Sequence, residues 1–173
     1  KPDMHEFLRT HPWLVNPQWE MLHHEKSLDT LLRNQFKVKA TKSKQGARRT
    51  DFFCLASSRQ YEVIELKRPG QVVGQKELDQ VRDYVFFLRE HADKTNDPQA
   101  KVDRVGGILV YSDMKAGMRQ HVNALQKEQI YVQTWDVLLK TTEELHREFL
   151  DVVKGRAPAG DPRIKALGET NDE

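Results

Sequence analysis

A carboxylate and an ammonium group stand two positions apart in residues 61–67, which read Tyr-Glu-Val-Ile-Glu-Leu-Lys. The β-branched and aromatic residues of this run predict a strand. Side chains alternate between the two faces of a strand, so we expect Glu65 and Lys67 on one face and Glu62 on the other. A charged pair at the end of an otherwise apolar strand is a candidate for catalysis, and an ordinary exposed ion pair is the alternative.

A second carboxylate reaches the same face through a predicted hairpin. Residues 51–56 form another β-rich run before residues 61–67. If the connecting loop has an odd number of residues, Asp51 lies opposite Glu65 or Lys67 and on their face. Neighbouring carboxylates repel and raise the pKa of one of them, and a divalent cation such as magnesium relieves that repulsion. Lys67 cannot bind the cation, but it can hold a water or neutralise charge on a phosphate.

A third carboxylate comes from a helix that the pattern predicts over residues 17–34. Asn16 followed by Pro17 is a helix start signal, and Glu25 falls within the apolar stripe of this helix. The stripe consists of Leu22, Leu28, Leu32 and Phe36. An acid that faces the body of the protein needs a partner. We therefore expect Glu25 near the metal, with pairing to a basic neighbour as the alternative.

The remaining periodicities predict a mixed sheet around these residues. Helices are predicted over residues 3–10, 75–91 and 115–128 and from Thr134 onwards, and strands over residues 105–112 and 130–133. The apolar stripe of the last helix consists of Leu138, Leu145, Phe149 and Val152. Strands alternating with helices in this order predict an α/β fold, a central mixed sheet with helices on both faces.

Composition favours one globular domain and excludes several classes of protein. The 173 residues carry a net charge of +2, which does not indicate nucleic-acid binding by itself. The single cysteine, Cys54, excludes an intramolecular disulfide framework and is expected in the core. No apolar run approaches the roughly 18 residues of a membrane span, and we expect a cytoplasmic protein. The domain is predicted over residues 1–153, with a flexible tail or linker over residues 154–173.

Basic charge is concentrated in residues 37–49, which hold six basic residues and no acid. We expect an exposed loop that follows the phosphate backbone of a nucleic acid with little sequence preference. The candidate contacts are Lys42, Lys44, Arg48 and Arg49. A solvated loop without a ligand is the alternative, because most charge runs are of that kind.

The spacing of the charged residues resembles the signature of the PD-(D/E)XK nuclease superfamily. Asp51 is followed by thirteen residues and then by Glu-Leu-Lys at residues 65–67. Thr50 stands where the name of the signature has proline. Gln80 and Tyr84, one turn apart on the next helix, resemble the downstream Gln-x-x-x-Tyr of several branches of this superfamily, and a solvated helix face is the alternative for this pair.

Further segments resemble one branch, the Shedu nuclease domain of bacterial anti-phage defence. They are Glu-Leu-Lys-Arg-Pro at residues 65–69, Pro-Trp-Leu at residues 12–14 with Trp19, and Thr-Trp-Asp-Val-Leu-Leu at residues 134–139. The resemblance runs from about residue 3 to residue 153. It implies a three-layer restriction-endonuclease-like domain.

The resemblance also implies an activity, a cofactor and site residues. The implied activity is hydrolysis of phosphodiester bonds in DNA with Mg²⁺, for which Mn²⁺ could substitute. The implied metal ligands are Asp51, Glu65, the Leu66 carbonyl and, directly or through water, Glu25. Lys67 would position the attacking water, and Gln80 would orient the water or a carboxylate.

The expected partners are DNA, a second copy of the chain and additional domains of a longer prokaryotic defence protein, with no membrane. A nuclease-fold module that binds nucleic acid or a partner protein without cutting is the alternative. Such modules often lose the acid or the lysine, and Asp51, Glu65 and Lys67 are all present here. A third alternative, a protein-interaction domain, leaves the basic run unexplained.

Overall fold

The structure, a computed structural model, describes Asn16 and residues 19–156, without the side chains of residues 148–150 and 152–156. The strands are β1 (Glu20–His24), β2 (Phe52–Ser57), β3 (Gln60–Leu66), β4 (Val72–Val73), β5 (Arg104–Tyr111), β6 (Asp113–Met114) and β7 (Ile130–Thr134). The helices are α1 (Leu28–Asn34), α2 (Gln75–Ala92), α3 (Arg119–Lys127) and α4 (Trp135–Arg156), with a 3-10 turn at Pro98–Ala100.

Five strands form one mixed sheet in the order β1-β2-β3-β5-β7. The pairs β1–β2 and β2–β3 are antiparallel, whereas β3–β5 and β5–β7 are parallel. Parallel neighbours need a crossover connection, which α2 supplies between β3 and β5 and α3 supplies between β5 and β7. The short strands β4 and β6 form a separate parallel pair. The predicted mixed sheet is therefore confirmed.

Helices cover both faces of this sheet, so the domain has three layers. One core cluster joins α1, α2 and α3 to alternate residues of the strands, including Phe53, Val63 and Leu109. The second cluster joins the start of α4, at Trp135 and Leu138, to the other strand face. That second face carries Phe52, Cys54, Ile64, Ile108 and Val110. The α/β class and the core position of Cys54 are as predicted.

The register of the β2–β3 hairpin decides which charged residues meet. Phe52 pairs with Ile64, and Leu55 pairs with Tyr61, so the hairpin places Asp51 opposite Glu65. The five residues between Leu55 and Tyr61 include an irregularity next to Ser57. The hairpin connection therefore has the odd number of residues that places Asp51 on the same face as Glu65 and Lys67.

The helix predicted over residues 17–34 is wrong in its first half. Residues 20–24 form β1, which pairs with β2, and the helix begins only at Leu28 after the N-cap Ser27. Glu25 has a φ of 48°, which ends any helical path there. Pairing with β2 satisfies the backbone hydrogen bonds of β1, and Leu22 still reaches the core from the strand. Tertiary pairing outweighs a local pattern that fits both conformations.

The other helices and strands that were predicted agree with the structure apart from their ends, and the short strands β4 and β6 and the 3-10 turn were not predicted. The helix predicted from residue 115 begins at Arg119, and the last helix begins after Thr134, whose hydroxyl accepts from Val137 N. Leu138 is buried, but Leu145 is 40% exposed, so the predicted stripe of that helix does not hold at Leu145. The helix predicted over residues 3–10 and the tail beyond residue 156 lie outside the described residues. The domain boundary stays a prediction.

Within the residues that the structure describes, no helix combines the length and apolar character that a membrane crossing requires.

Candidate active site

The candidate site forms where the end of β3 meets the start of β2 and the first turns of α2. Glu65 and Lys67 lie on the face of the sheet that α2 covers, and both are buried, at 5% and 7% exposure. The Lys67 amide donates to Val110 O at 2.8 Å, so the parallel ladder continues past the end of β3. The interpretation of Glu65 and Lys67 as an exposed surface pair is wrong.

Four side chains form one hydrogen-bonded cluster in this site. Lys67 Nζ lies 3.0 Å from Glu65 Oε1 and 3.2 Å from Gln80 Oε1. Gln80 Nε2 donates to Glu65 Oε1 at 2.7 Å and contacts Tyr84 Oη at 2.8 Å. Tyr84 is buried, and Gln80 is partly buried, so the alternative of a solvated helix face is wrong. The helix glutamine therefore holds the acid and the lysine of the strand together.

Asp51 approaches this cluster from the neighbouring strand. Its Oδ2 accepts the Leu66 amide at 2.7 Å, which fixes the carboxylate beside the end of β3. The pKa of Glu65 is raised to about 7, because burial and the negative charge of Asp51 together outweigh the opposing effect of the Lys67 ammonium. Glu65 Oε2 is buried and has no hydrogen-bond partner in the described part of the chain. This oxygen is a polar group that a ligand could satisfy.

Two carboxylates with one unsatisfied buried oxygen fit a hard divalent cation. Magnesium is commonly held by one or two carboxylates and keeps several waters. Among the described residues, no three His, Cys, Asp or Glu side chains come together as a ligand set. The donor set that the structure brings together is therefore Asp51 and Glu65, with the Leu66 amide bonded to Asp51.

Glu25 lies beside Asp51, but not on a helix as predicted. Its amide donates to Asp51 O at 2.9 Å, directly after β1, and the residue is exposed. The expectation of a helix carboxylate that faces the core is wrong, because the chain turns at Glu25 between β1 and α1. Its backbone is nevertheless adjacent to the predicted metal ligand Asp51.

The predicted basic loop is an ordered segment braced by Asp29 of α1. The Asp29 carboxylate accepts Thr41 N at 2.7 Å, Thr41 Oγ1 at 2.9 Å and Lys42 N at 3.0 Å. Burial raises the pKa of Asp29, but these hydrogen bonds outweigh it and the pKa falls below its usual value. Lys42, Lys44 and Arg49 are exposed. Their ammonium and guanidinium groups face solvent on a fixed backbone.

Arg48 connects this loop to the site. Its guanidinium carbon lies 4.7 Å from the centre of the Tyr84 ring, and its Nη1 lies 3.1 Å from Asp83 Oδ2. Tyr84 in turn contacts Gln80, so a chain of contacts runs from Arg48 to Glu65. Of the four predicted nucleic-acid contacts, Arg48 is thus the one tied to the candidate active site.

Trp135 belongs to the site, although sequence reasoning gave it no role there. Its Nε1 donates to Lys67 O at 3.0 Å in the buried core beneath the sheet. The residue opens α4, directly after the cap Thr134. Its place at a helix start was a visible signal, but the partner lies 68 residues earlier in the chain and only the fold reveals it.

Comparison with known proteins finds likeness at the level of structure. No protein-family model matches the chain, and no curated protein matches it. The matching chain in the structure of the EndoMS–dsDNA2 complex is 23% identical in sequence to this chain. The match covers 76% of this chain and 42% of that chain, with a TM-score of 0.49. A repair endonuclease from Pyrococcus abyssi is 19% identical over 76% of this chain and 44% of its own, with a TM-score of 0.48. This chain spans less than half the length of either protein.

Proposed function

We propose that this chain is the catalytic domain of a metal-dependent DNA endonuclease. The observation that carries the proposal is the buried cluster of Glu65, Lys67 and Gln80 with Asp51 opposite. Burying such charges costs stability, and replacing a buried ion pair by apolar residues is often neutral or stabilising. A cluster of perturbed groups with an unsatisfied oxygen at a strand end is a typical arrangement for a functional site.

Asp51 and Glu65 would hold Mg²⁺ or Mn²⁺ in this domain. The Leu66 carbonyl and Glu25 complete the ligand set that the resemblance to PD-(D/E)XK nucleases implies, with Glu25 acting directly or through water. A bound divalent cation would lower the pKa of a water molecule and offset negative charge on a phosphate. Its own charge would also relieve the repulsion between the two carboxylates.

Lys67, Gln80 and Arg48 supply the remaining functions. The buried Lys67 ammonium holds the attacking water or a phosphate oxygen as negative charge grows on it. Gln80 orients Lys67 and Glu65 through its two hydrogen bonds. In hydrolysis the water oxygen bonds to phosphorus and the bond from phosphorus to the leaving sugar oxygen breaks. The attacking water releases a proton to solvent, and the leaving oxygen takes up a proton from solvent water. Arg48 lies one contact away, where it can bind a flanking phosphate.

The DNA would lie along the basic loop, with Lys42, Lys44, Arg48 and Arg49 on its phosphates. Following the resemblance to the Shedu branch, we propose that the domain serves prokaryotic anti-phage defence in the cytoplasm. Cutting DNA inside a cell requires control. We therefore propose that self-assembly or further domains of a longer chain license the activity.

The test is cleavage of supercoiled plasmid with and without Mg²⁺ by wild type, Lys67→Ala and Glu65→Ala. Wild type should cut only with the metal. Lys67→Ala should slow cleavage by about 100-fold or more and keep metal binding, because lysine brings no ligand atom but stabilises the transition state. Glu65→Ala should lose metal binding and cleavage together.

Exposed Lys140 provides the matched control, and Lys140→Ala should cut at the wild-type rate. Lys67→Met keeps the apolar part of the side chain, so it is the variant less disturbing to folding. Circular dichroism checks that each variant is folded. Cleavage at the wild-type rate by both Lys67 variants would contradict the assignment. The binding-module alternative would then be the better explanation.

A further inference from the structure

A basic surface that includes the first two lysines of the basic run, Lys37 and Lys39, extends away from the candidate active site. We define the distal basic surface as Arg33, Lys37, Lys39 and Lys94. Residues 37–39 form the common wall of two cavities of about 590 Å³ and about 570 Å³. Arg33 and Lys42 also line the first cavity, and Lys94 lines the second. The grooves are thus lined by cations from α1, from the segment after it and from the loop after α2, with one acid, Asp97, in the second cavity.

One contact and the course of α2 place this surface at the opposite end of the sheet from the candidate site. Gln35 Nε2 donates to Tyr61 Oη at 3.1 Å, at the beginning of β3, whereas Glu65 lies near its end. Lys94 follows the last turn of α2, whereas Gln80 lies near its first turns. The twelve residue steps from Gln80 to the end of α2 at Ala92 span about 18 Å, and Lys94 lies two residues further, so Lys94 is about 20 Å from the cluster.

Within the described part of the chain, the cations of this surface have few close carboxylate partners, although the charge of Arg33 acts on Asp29 of the same helix. Among the described residues, no carboxylate forms an ion pair with Arg33, Lys37 or Lys39. Lys37 Nζ donates only to a backbone carbonyl, that of Asn34 at 2.8 Å. Lys94 lies 3.6 Å from Glu90 in an exposed pair. Such exposed pairs contribute little. The four cations together with Lys42 outnumber the nearby acids Asp29, Glu90 and Asp97, so the surface carries a net positive charge.

Backbone geometry also marks this segment. Lys37 and Lys42 have φ values of 56° and 55°, in the left-handed region that lysine rarely adopts. Asp29 holds the chain after the segment through its bonds to Thr41 and Lys42. A held, sparsely populated backbone conformation is a feature that recurs at binding sites. The cations are therefore presented by an ordered backbone.

We propose that the distal basic surface binds DNA phosphates several nucleotides away from the bond that is cut. The identity of the polyanion as DNA rests on the proposed function. At 3.4 Å per nucleotide, a separation of about 20 Å corresponds to about six nucleotides. Arg48 would then contact phosphates near the cut, and Lys37, Lys39 and Lys94 would contact phosphates further along the same DNA.

The experiment measures DNA binding without cleavage. The double variant Lys37→Gln/Lys39→Gln is compared with the matched double variant Lys127→Gln/Lys140→Gln, which removes two exposed lysines from α3 and α4. Binding of a labelled duplex of about 24 base pairs is titrated at several salt concentrations in the absence of Mg²⁺. The chain is otherwise intact, and circular dichroism checks its folding.

The distal variant should weaken binding about tenfold and reduce the salt slope by about two, since each lost phosphate contact lowers the slope by about 0.9. The control variant should keep the wild-type slope. An unchanged slope in the distal variant, or an equal loss in both variants, would overturn the proposal. If the wild-type chain fails to cut plasmid but the distal variant still shows weaker binding and a reduced salt slope, the proposed function is wrong. The distal basic surface would then remain a nucleic-acid binding site.

Discussion

Burial and the neighbouring charge of Asp51 give Glu65 an unusual titration. Its pKa rises to about 7, so a fraction of the metal-free protein carries a protonated Glu65 at neutral pH. Lys67 and Gln80 both bind Oε1, which leaves Oε2 as the buried oxygen without a partner in the described part of the chain. A cation that binds this carboxylate must therefore displace a proton whenever the pH is below the pKa.

We predict that metal affinity rises with pH until Glu65 is ionised. The sign follows from the raised pKa, because the cation binds the ionised carboxylate and low pH favours the protonated form. Affinity for Mn²⁺ should rise about tenfold per pH unit below about 7 and level off above it. Calorimetry in two buffers of different ionisation enthalpy measures the proton released on binding. Affinity that stays constant across this range would contradict a role for Glu65 as ligand.

The elements hold the site from both faces of the sheet. α2 supplies Gln80 and Tyr84 from one side, and α4 supplies Trp135 from the other. The Trp135 indole bonds the backbone of Lys67 directly after β3 ends, where the chain leaves the sheet. That hydrogen bond limits the positions that Lys67 can take, so Trp135 would act as a positioning residue in the proposed reaction.

We predict that Trp135→Phe slows cleavage about tenfold and costs about 1 kcal/mol of unfolding free energy, since phenylalanine keeps most of the burial but loses one hydrogen bond. Affinity for metal and for DNA should stay at the wild-type value, because the change affects the placement of Lys67. Single-turnover rates measure the cleavage step, and binding titrations measure the affinity for metal and for DNA. Together they separate an effect on cleavage from an effect on binding.

Thr142→Val is the matched control for this change. It removes another buried hydrogen bond in α4, from Thr142 Oγ1 to Leu138 O at 2.8 Å. This variant should lose stability and keep the wild-type rate. An equal loss of rate in both variants would mean that Trp135 acts only through the stability of the helix.

For the molecule as a whole, two buried carboxyl groups on opposite faces of β3 oppose folding at high pH. Glu62 lies on the face away from Glu65, against Gly106, where a Cβ would collide with its carboxylate. Burial raises the pKa of Glu62 to about 7, although its ion pair with Arg104 lowers it in part. The fold therefore contains a second buried carboxyl group with a raised pKa, and this group lies outside the candidate site.

We predict that the metal-free protein loses stability as the pH rises from about 4.5 to about 7. In this window the folded state retains protons that the unfolded state has released, so a higher pH favours unfolding. The loss is at most about 3.5 kcal/mol per carboxyl group, at about 1.4 kcal/mol per pKa unit.

Urea unfolding at about pH 5 and about pH 8 measures this decline through the extrapolated free energy. Glu62→Gln should remove roughly half of the decline, because glutamine does not ionise. Glu144→Gln, at an exposed position of α4, should leave it unchanged. A free energy of unfolding that rises over the same window would contradict the raised pKa values of Glu62 and Glu65.

Local patterns determined much of the site. Strand alternation places Glu65 and Lys67 on one face whatever surrounds them, and the odd hairpin count brings Asp51 opposite. The 3.6-residue period of α2 likewise places Gln80 and Tyr84 on one side of a helix. These relations hold over a few residues or across one tight turn, so the sequence alone was sufficient to predict them.

Tertiary structure decided the rest. Residues 20–24 fit a helical stripe, but the unpaired edge of β2 makes them a strand. The contact of Trp135 with Lys67 and the distance of Lys94 from Gln80 depend on how α4 and α2 pack and on how far α2 extends. Hydrogen bonds and burial between segments far apart in the chain set these features, because local preferences differ by less free energy than those interactions supply.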